Sequence, residues 1–197
     1  MSLSQITPPA TEPITLEQAK ARLRLSDDTQ NSRLVHLIRT ARQRIEYESG
    51  RAIFNQTWVE RRDSWQAQRG QKCRLAAFAT QFTLVKPPLV SIERIEVFDA
   101  DNFGTLWDPS QYFIDTLADP GRIALGRNAQ FPEPGRAIAG IEIEFVCGYG
   151  TAVDDVPAGL IEASGLLMQA MFESEDEAVT LPLRVQSLIA PWRRLSL

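Results

Sequence analysis

The sequence PITLEQAKARLRL, from Pro13 to Leu25, opens the part of the chain that decides the fold. Its Thr15-Leu-Glu-Gln18 start matches a capping box, in which both end side chains bind backbone amides of the first helical turn. These residues therefore predict a short helix that ends near Leu25. A longer amphipathic segment follows from about Thr29 to Ser49, and Gly50 is the residue type that commonly ends a helix.

The second predicted helix carries an apolar stripe. Leu34, Leu37, Ile38, Ala41 and Ile45 recur at steps of three and four residues, which predicts the buried face. The arginines of this segment fall mostly off the stripe, so we expect them on its exposed side: Arg33, Arg39, Arg42 and Arg44.

Beyond Gly50 the periodicity changes from helical to alternating. Gln56–Arg62 and Ile141–Cys147 alternate cleanly and are rich in strand-forming residues. Shorter strand candidates lie between them, separated by turns rich in Pro, Gly and Asp: Lys72–Leu75, Gln81–Val85, Ser91–Phe98, Thr105–Trp107, Tyr112–Thr116 and Arg122–Leu125. This region predicts an antiparallel meander.

Helical periodicity returns near the end of the chain. Pro157 suits the first turn of a helix, and Gly159 and Gly165 within it favour close approach of another helix. A short helix is also predicted from Pro182, and Pro191 is expected to stop it. The predicted fold is therefore α+β, a helical core with an inserted β meander. The predicted order is a flexible N-terminal arm (1–13), part of the helical core (14–52), a β-rich insert (53–150), a core helix (151–173), and an acidic linker with a tail (174–197).

Composition limits the functional classes. The chain has 197 residues, 44% of them apolar, and a net charge of −4, which argues against broad nucleic-acid affinity. No apolar run reaches the roughly 18–20 residues of a membrane span, and the N-terminus lacks the charged and apolar regions of a signal peptide. Cys73 and Cys147 are expected to be buried thiols of a cytosolic product.

No motif in the sequence predicts a catalytic, metal or cofactor site. His36 is the only histidine, and no cysteine pair at ligand spacing accompanies it. Phosphate loops, dinucleotide fingerprints and nucleophile elbows are absent from the sequence. Glu142 and Glu144 share a strand face, which is typical of the solvent side of a half-buried strand. Asp99 and Asp101 fit a hairpin tip better than a calcium loop.

Two other functional classes stay open on the residues alone. The first is a DNA-binding module that uses the Arg-rich second helix, although interface salt bridges are the favoured use of these arginines. The second is an enzyme such as a cell-wall hydrolase that uses Glu142 or Asp115. Such an enzyme requires its carboxylates to line one concave pocket.

The C-terminal segment carries much apolar area after an acidic stretch. The residues concerned are Leu181, Val185, Leu188, Ile189 and Trp192. Trp and Arg are enriched at binding hot spots, so this segment either docks onto another subunit or partner, or folds back onto its own domain. Both interpretations remain open from sequence.

Several short motifs, taken together, resemble the head–tail connector family of tailed phages and gene transfer agents. They are the Pro13–Lys20 segment, Glu48–Arg51, Asn55–Trp58, Lys86–Ile92, Asp108–Tyr112, Pro120–Arg122, Phe145–Gly150, Val156–Pro157 and Leu188–Arg193. Each motif is weak alone, but their shared order covers nearly the whole chain. Position 192 holds Trp, whereas the family usually has Tyr there.

The resemblance implies a virion structural protein rather than an enzyme. It implies a dodecameric ring below the portal protein that joins the DNA-filled head to the tail. The implied partners are the portal, neighbouring copies and a downstream tail or stopper protein. DNA passes only as cargo, and no cofactor or membrane is involved. Assembly is expected in the cytoplasm, and the ring then stays in the virion neck.

The resemblance and the charge pattern suggest two sets of contact residues. The expected portal-binding residues are Leu181, Val185, Leu188, Ile189, Trp192, Arg193 and Arg194. A ring also needs two complementary lateral faces. The expected lateral residues are the cations Arg33, Arg39, Arg42 and Arg44, and the acids Glu173, Glu175, Asp176 and Glu177.

Overall fold

The computed structural model of the chain describes residues 1–65, 80–174 and 180–193. The chain divides into two compact units. A helical unit combines Pro9–Phe54 with Tyr149–Ser196, and a β unit combines Met1–Pro8 with Asn55–Gly148. Helices and antiparallel sheets are both present, so the predicted α+β class is confirmed.

The described residues of the helical unit form α1 (Leu16–Leu23), α2 (Asn31–Ser49), α3 (Ala158–Glu173) and α4 (Leu183–Ile189). The capping box at Thr15 and Gln18 is present, which confirms the predicted start of α1. This helix ends two residues earlier than predicted because Arg24 adopts a left-handed conformation with φ of 56°. Gly50 ends α2 in the same conformation, as predicted.

One apolar core holds the four helices together. Leu34, Ile38, Ala41 and Ile45 of α2 are buried in it, together with Leu160 and Leu167 of α3. Leu37 is only partly buried against this core. The apolar stripe predicted for α2 is therefore the face that packs into the helical core.

The described residues of the β unit form a five-stranded and a three-stranded antiparallel sheet. The larger sheet has the order β1-β2-β8-β4-β5, and the smaller has the order β3-β7-β6. The strands are β1 (Ser2–Thr7), β2 (Gln56–Arg62), β3 (Gln81–Thr83), β4 (Leu89–Phe98), β5 (Gly104–Leu106), β6 (Tyr112–Asp115), β7 (Arg122–Leu125) and β8 (Ile141–Cys147).

The central strand β8 explains why the larger sheet forms as it does. Ile141, Ile143, Phe145 and Cys147 are fully buried and alternate with half-buried residues. Because side chains of a strand alternate between faces, this pattern places one whole face of β8 in the core. The predicted bounds of β2, β7 and β8 are confirmed, whereas the predicted strand Lys72–Leu75 lies outside the described residues.

The predicted flexible arm at the N-terminus is wrong for its first residues. Ser2–Thr7 form β1 and pair antiparallel with β2. Their side chains are mostly exposed, so the strand is held by backbone pairing more than by burial. Polar, exposed side chains gave no alternating apolar signal, which is why this strand was not predicted.

Candidate interaction surfaces

The C-terminal helix packs onto its own unit. Val185 and Ile189 are fully buried in the helical core, and Leu181, Leu188 and Trp192 are partly buried against it. The fold-back interpretation of the tail is therefore the observed one. Val185 and Ile189 are therefore not exposed portal anchors, contrary to the prediction, because a fully buried side chain presents no surface to a partner.

Polar contacts also fix the end of this segment. The Nε atom of Arg51 donates a hydrogen bond of 2.6 Å to the Trp192 carbonyl, and the Trp192 ring meets the Tyr149 ring edge-on at 6.1 Å. Arg193 forms a 3.0 Å ion pair with Glu48. Gly159 allows the close approach predicted for it, since an added Cβ would lie 3.4 Å from the Leu188 carbonyl oxygen.

One side of α4 remains exposed. Leu183 is 82% exposed, and Arg184 and Ser187 are exposed beside it. Sequence reasoning missed Leu183, although its position two residues before the buried Val185 places it on another side of a helix. Arg194 lies outside the described residues.

Arg42 occupies the interior of the helical unit, contrary to the prediction of an exposed lateral residue. It is 2% exposed. Its Nε atom lies 2.8 Å from Glu12, and its Nη1 atom lies 2.9 Å from Glu46. The second oxygen of Glu46 accepts a hydrogen bond from the Ile53 amide at 2.9 Å. This network ties the chain before α1 and the chain after α2 to α2 itself.

The other α2 arginines remain available at the surface. Arg39 has a 61% exposed side chain and lies 3.8 Å from Glu12, and Arg44 is half exposed and pairs with Glu48. Arg33 donates to the Phe172 carbonyl and stacks over the Phe172 ring at 4.7 Å. Glu173 is exposed, whereas Glu175, Asp176 and Glu177 lie outside the described residues.

The carboxylates considered for catalysis are each neutralised by an arginine. Glu142 pairs with Arg61 at 2.8 Å, and Glu144 pairs with Arg94 at 2.7 Å. The hydrogen bond from Arg122 holds the pKa of Asp115 below its ordinary value, which is the opposite of what a general acid requires.

A shallow groove of about 360 Å³ lies beside β5. Asp99, Asp108 and Glu133 line it, but Glu142 and Asp115 do not. Asp99 and Asp108 accept hydrogen bonds from backbone amides of their own turns, so these two carboxylates have a structural role in the groove. Within the described ranges, no cluster of His, Cys, Asp and Glu side chains has the arrangement of a metal site.

A second buried ion pair lies in the β unit. Glu60 is fully buried, accepts a 2.6 Å hydrogen bond from Arg62, and also accepts the Val85 amide. The Arg62 guanidinium lies over the Phe82 ring at 4.6 Å. Within the part of the chain that the structure describes, this pair also contacts the Thr83 carbonyl and the Val85 amide, so it joins β2 to the segment around β3. None of the described helices is long and apolar enough to cross a bilayer.

Comparison with known proteins gives matches at the level of structure. No protein-family model matches the sequence, and no curated protein sequence is significantly similar to it. A chain from the neck of an empty gene transfer agent (GTA) particle, computed with C6 symmetry, superposes with a TM-score of 0.80 at 20% identity. The alignment covers 100% of this chain and 97% of the other.

The protein shares its fold with a component of the gene transfer agent neck. Two further structures agree. A chain from the virion of a native GTA particle gives a TM-score of 0.79 at 19% identity, and one from a native GTA neck computed with C12 symmetry gives 0.73 at 22%. Both alignments cover 100% of this chain and 97% of the matched chain. The likeness therefore includes both units.

Proposed function

We propose that this protein is a virion structural protein, a head–tail connector that forms a ring beneath the portal and joins the DNA-filled head to the tail. The observation that carries the proposal is the full-length likeness to the GTA neck chain, at a TM-score of 0.80. Because one fold can serve many functions, the surfaces must support the role as well. Arginine-neutralised carboxylates and a groove occupied by turn caps favour a structural role over catalysis.

The proposed ring follows from the symmetry of the matched assemblies. Two of them were computed with C6 and C12 symmetry. A cyclic ring requires two different, complementary faces on each subunit. The exposed cations Arg39 and Arg44 are proposed to lie on one lateral face, facing Glu173 and the acidic residues 175–177 of a neighbour. Arg33 packs on Phe172, next to Glu173 of its own subunit, and is therefore left out of the cationic face. Arg42 is excluded from this surface by its burial.

The proposed portal contact uses the exposed side of the C-terminal segment. Leu183 and Arg184 are the most exposed contact residues of α4 on this surface. The other proposed contact residues are Arg193 and the partly exposed Leu181, Leu188 and Trp192. Val185 and Ile189 support this surface from the core. In this role the protein assembles in the cytoplasm and then remains in the neck of the particle, with a tail or stopper protein below it.

Electron microscopy of the full-length protein mixed with its cognate portal tests the proposal. We expect a ring stacked on the portal, and Leu183→Asp should weaken its attachment. Leu106→Asp is the matched control, because Leu106 is another exposed leucine, 64% exposed against 82%, and lies on β5. A protein that binds no portal and is absent from purified particles would refute the connector role. Equal effects of the two substitutions would refute only the contact surface.

A further inference from the structure

As the structure describes them, the two sheets of the β unit end in four outer strands, which differ in how well they are protected from pairing. β1 and β5 are the outer strands of the larger sheet, and β3 and β6 are those of the smaller sheet. An outer strand presents unpaired backbone amides and carbonyls, so proteins usually protect it by shortness, charge, proline or a bulge. An outer strand with few of these features is therefore a candidate site for pairing with another chain.

The β4–β5 side of the larger sheet is well protected. β5 has three residues and covers only Glu96–Phe98 of β4. The uncovered part of β4 has two register irregularities, between Leu89 and Ser91 and between Ile92 and Arg94. Exposed charges at Glu93 and Arg94 add to this protection. β3 is also only three residues long.

β1 and β6 have fewer of these devices. Ser2–Gln5 pair one-to-one with Trp58–Arg61, and the first irregularity comes only after Gln5. This stretch contains no charged residue and no proline. Its outer side meets no other strand among the described residues.

β6 is the corresponding unprotected strand of the smaller sheet. Tyr112–Asp115 pair one-to-one with Arg122–Leu125, without a bulge. Phe113 is 68% exposed and Ile114 is 41% exposed. The only charge, Asp115, is neutralised by Arg122 at 2.8 Å. Because β1 is uncharged and the charge of Asp115 is neutralised, the two strands can approach each other without electrostatic repulsion.

We propose that Ser2–Gln5 of one copy pairs with Tyr112–Asp115 of the neighbouring copy, so that the two sheets become continuous across the subunit boundary. This inference rests on the proposed ring. Two different strands are joined, so the contact is heterologous and propagates around a ring instead of closing a two-fold dimer. The matched lengths, four residues on each side, allow a complete short ladder.

The size of this contact indicates its role. A ladder of four residues spans about 13 Å and is much smaller than the roughly 1,600 Å² of a standard protein interface. It therefore sets the register between neighbours, and other surfaces supply most of the affinity. Substitutions in the ladder should weaken assembly without abolishing it.

The test compares Ile114→Lys with Val90→Lys in the full chain. Both positions hold exposed β-branched residues, 41% exposed at Ile114 on unprotected β6 and 42% exposed at Val90 on protected β4. Assembly is followed against concentration by native mass spectrometry, alone and on the cognate portal. Ile114→Lys should raise the concentration needed for half-assembly about tenfold, as expected for loss of several cross-strand pairs, and Val90→Lys should leave it unchanged.

A charge-reversal pair guards against a folding defect. Ser4→Glu places a carboxylate next to Arg61, whose Nη1 atom lies 3.3 Å from the Ser4 hydroxyl, so the subunit should tolerate it. Alone it should weaken assembly. Combined with Phe113→Lys it should restore assembly, because Ser4 lies opposite Phe113 when residues 2–5 pair antiparallel with residues 112–115, and each boundary then joins a Glu to a Lys. Hydrogen exchange of residues 2–5 and 112–115 should slow in the wild-type ring.

The outcomes are distinct. Rings that form equally well with Ile114→Lys and Val90→Lys, and with fast exchange at β1 and β6, overturn the strand pairing and leave the connector role intact. A two-fold dimer that Ser4→Glu disrupts and Ile114→Lys does not also overturns it. Failure of the wild-type protein to form a ring, even on the portal, overturns the connector role and this inference with it.

Discussion

Replacing Arg42 by methionine is the sharpest test of what holds the helical unit together. The substitution replaces Arg42 by an unbranched apolar side chain of similar length and removes the guanidinium. Glu46, whose side chain is 6% exposed, would then lose its 2.9 Å contact with Arg42. Glu12, whose side chain is 29% exposed, would lose its 2.8 Å contact but keep access to water.

The expected cost follows from this burial. Removing one partner of a buried ion pair costs about 3–5 kcal/mol, because the remaining buried charge loses that compensation. Since Glu12 can rehydrate, we expect the lower end, about 3 kcal/mol. For a chain of this size that loss lowers Tm by about 6–12 °C. Urea unfolding followed by circular dichroism measures the loss of free energy, and thermal unfolding measures the change in Tm.

Arg39→Met is the matched control on the same helix. Arg39 has a 61% exposed side chain and lies 3.8 Å from Glu12, so its loss should cost less than about 0.5 kcal/mol. The double variant Arg42→Met with Glu46→Gln should recover part of the stability, because the neutral Gln side chain can still accept the hydrogen bond from the Ile53 backbone amide. If Arg42→Met costs no more than Arg39→Met, the buried network does not hold the unit together.

Three further predictions concern other parts of the chain. Gly121→Ala should destabilise the β unit by about 1–3 kcal/mol, because the added Cβ would overlap the Leu89 side chain; normal stability in urea would contradict that overlap. Thr15→Ala should cost about 1 kcal/mol by removing the α1 cap, and thermal unfolding unchanged from wild type would refute this. Arg22 lowers the pKa of Glu162 through a hydrogen bond, so its stabilisation is present above the ordinary value of 4.5 and is lost as pH falls. Glu162→Gln should flatten stability measured across that acidic range, and an unchanged pH profile would argue against the pair.

The elements that were predictable from sequence have strong local signals. In β8 the apolar residues that alternate with Glu142, Glu144 and Val146 defined both the strand and its buried face. The capping box of α1 and the Gly50 stop of α2 are contacts within a few residues, so they can be read without knowing the fold. The order of these elements, together with the family resemblance, was enough to predict the α+β class.

The features that were not predictable depend on contacts distant in sequence. Arg42 lies on α2, but its partner Glu12 is thirty residues earlier, and a charged residue is buried only when such a partner is in place. Likewise β1 is a strand because β2 offers it a free edge, not because of its own side chains. For α4, the apolar side chains were evident from the residues alone, but the surface that buries them was not.

Burial of α4 also bears on how a connector with this structure would meet a portal. Exposing Val185 and Ile189, which are fully buried, would cost about 1.5–3 kcal/mol for each side chain. A partner would have to bury both again merely to offset that cost. Docking through Leu183, which is already exposed, avoids it entirely and adds newly buried apolar area. Attachment through the outer side of a folded α4 is therefore favoured over attachment through a released tail.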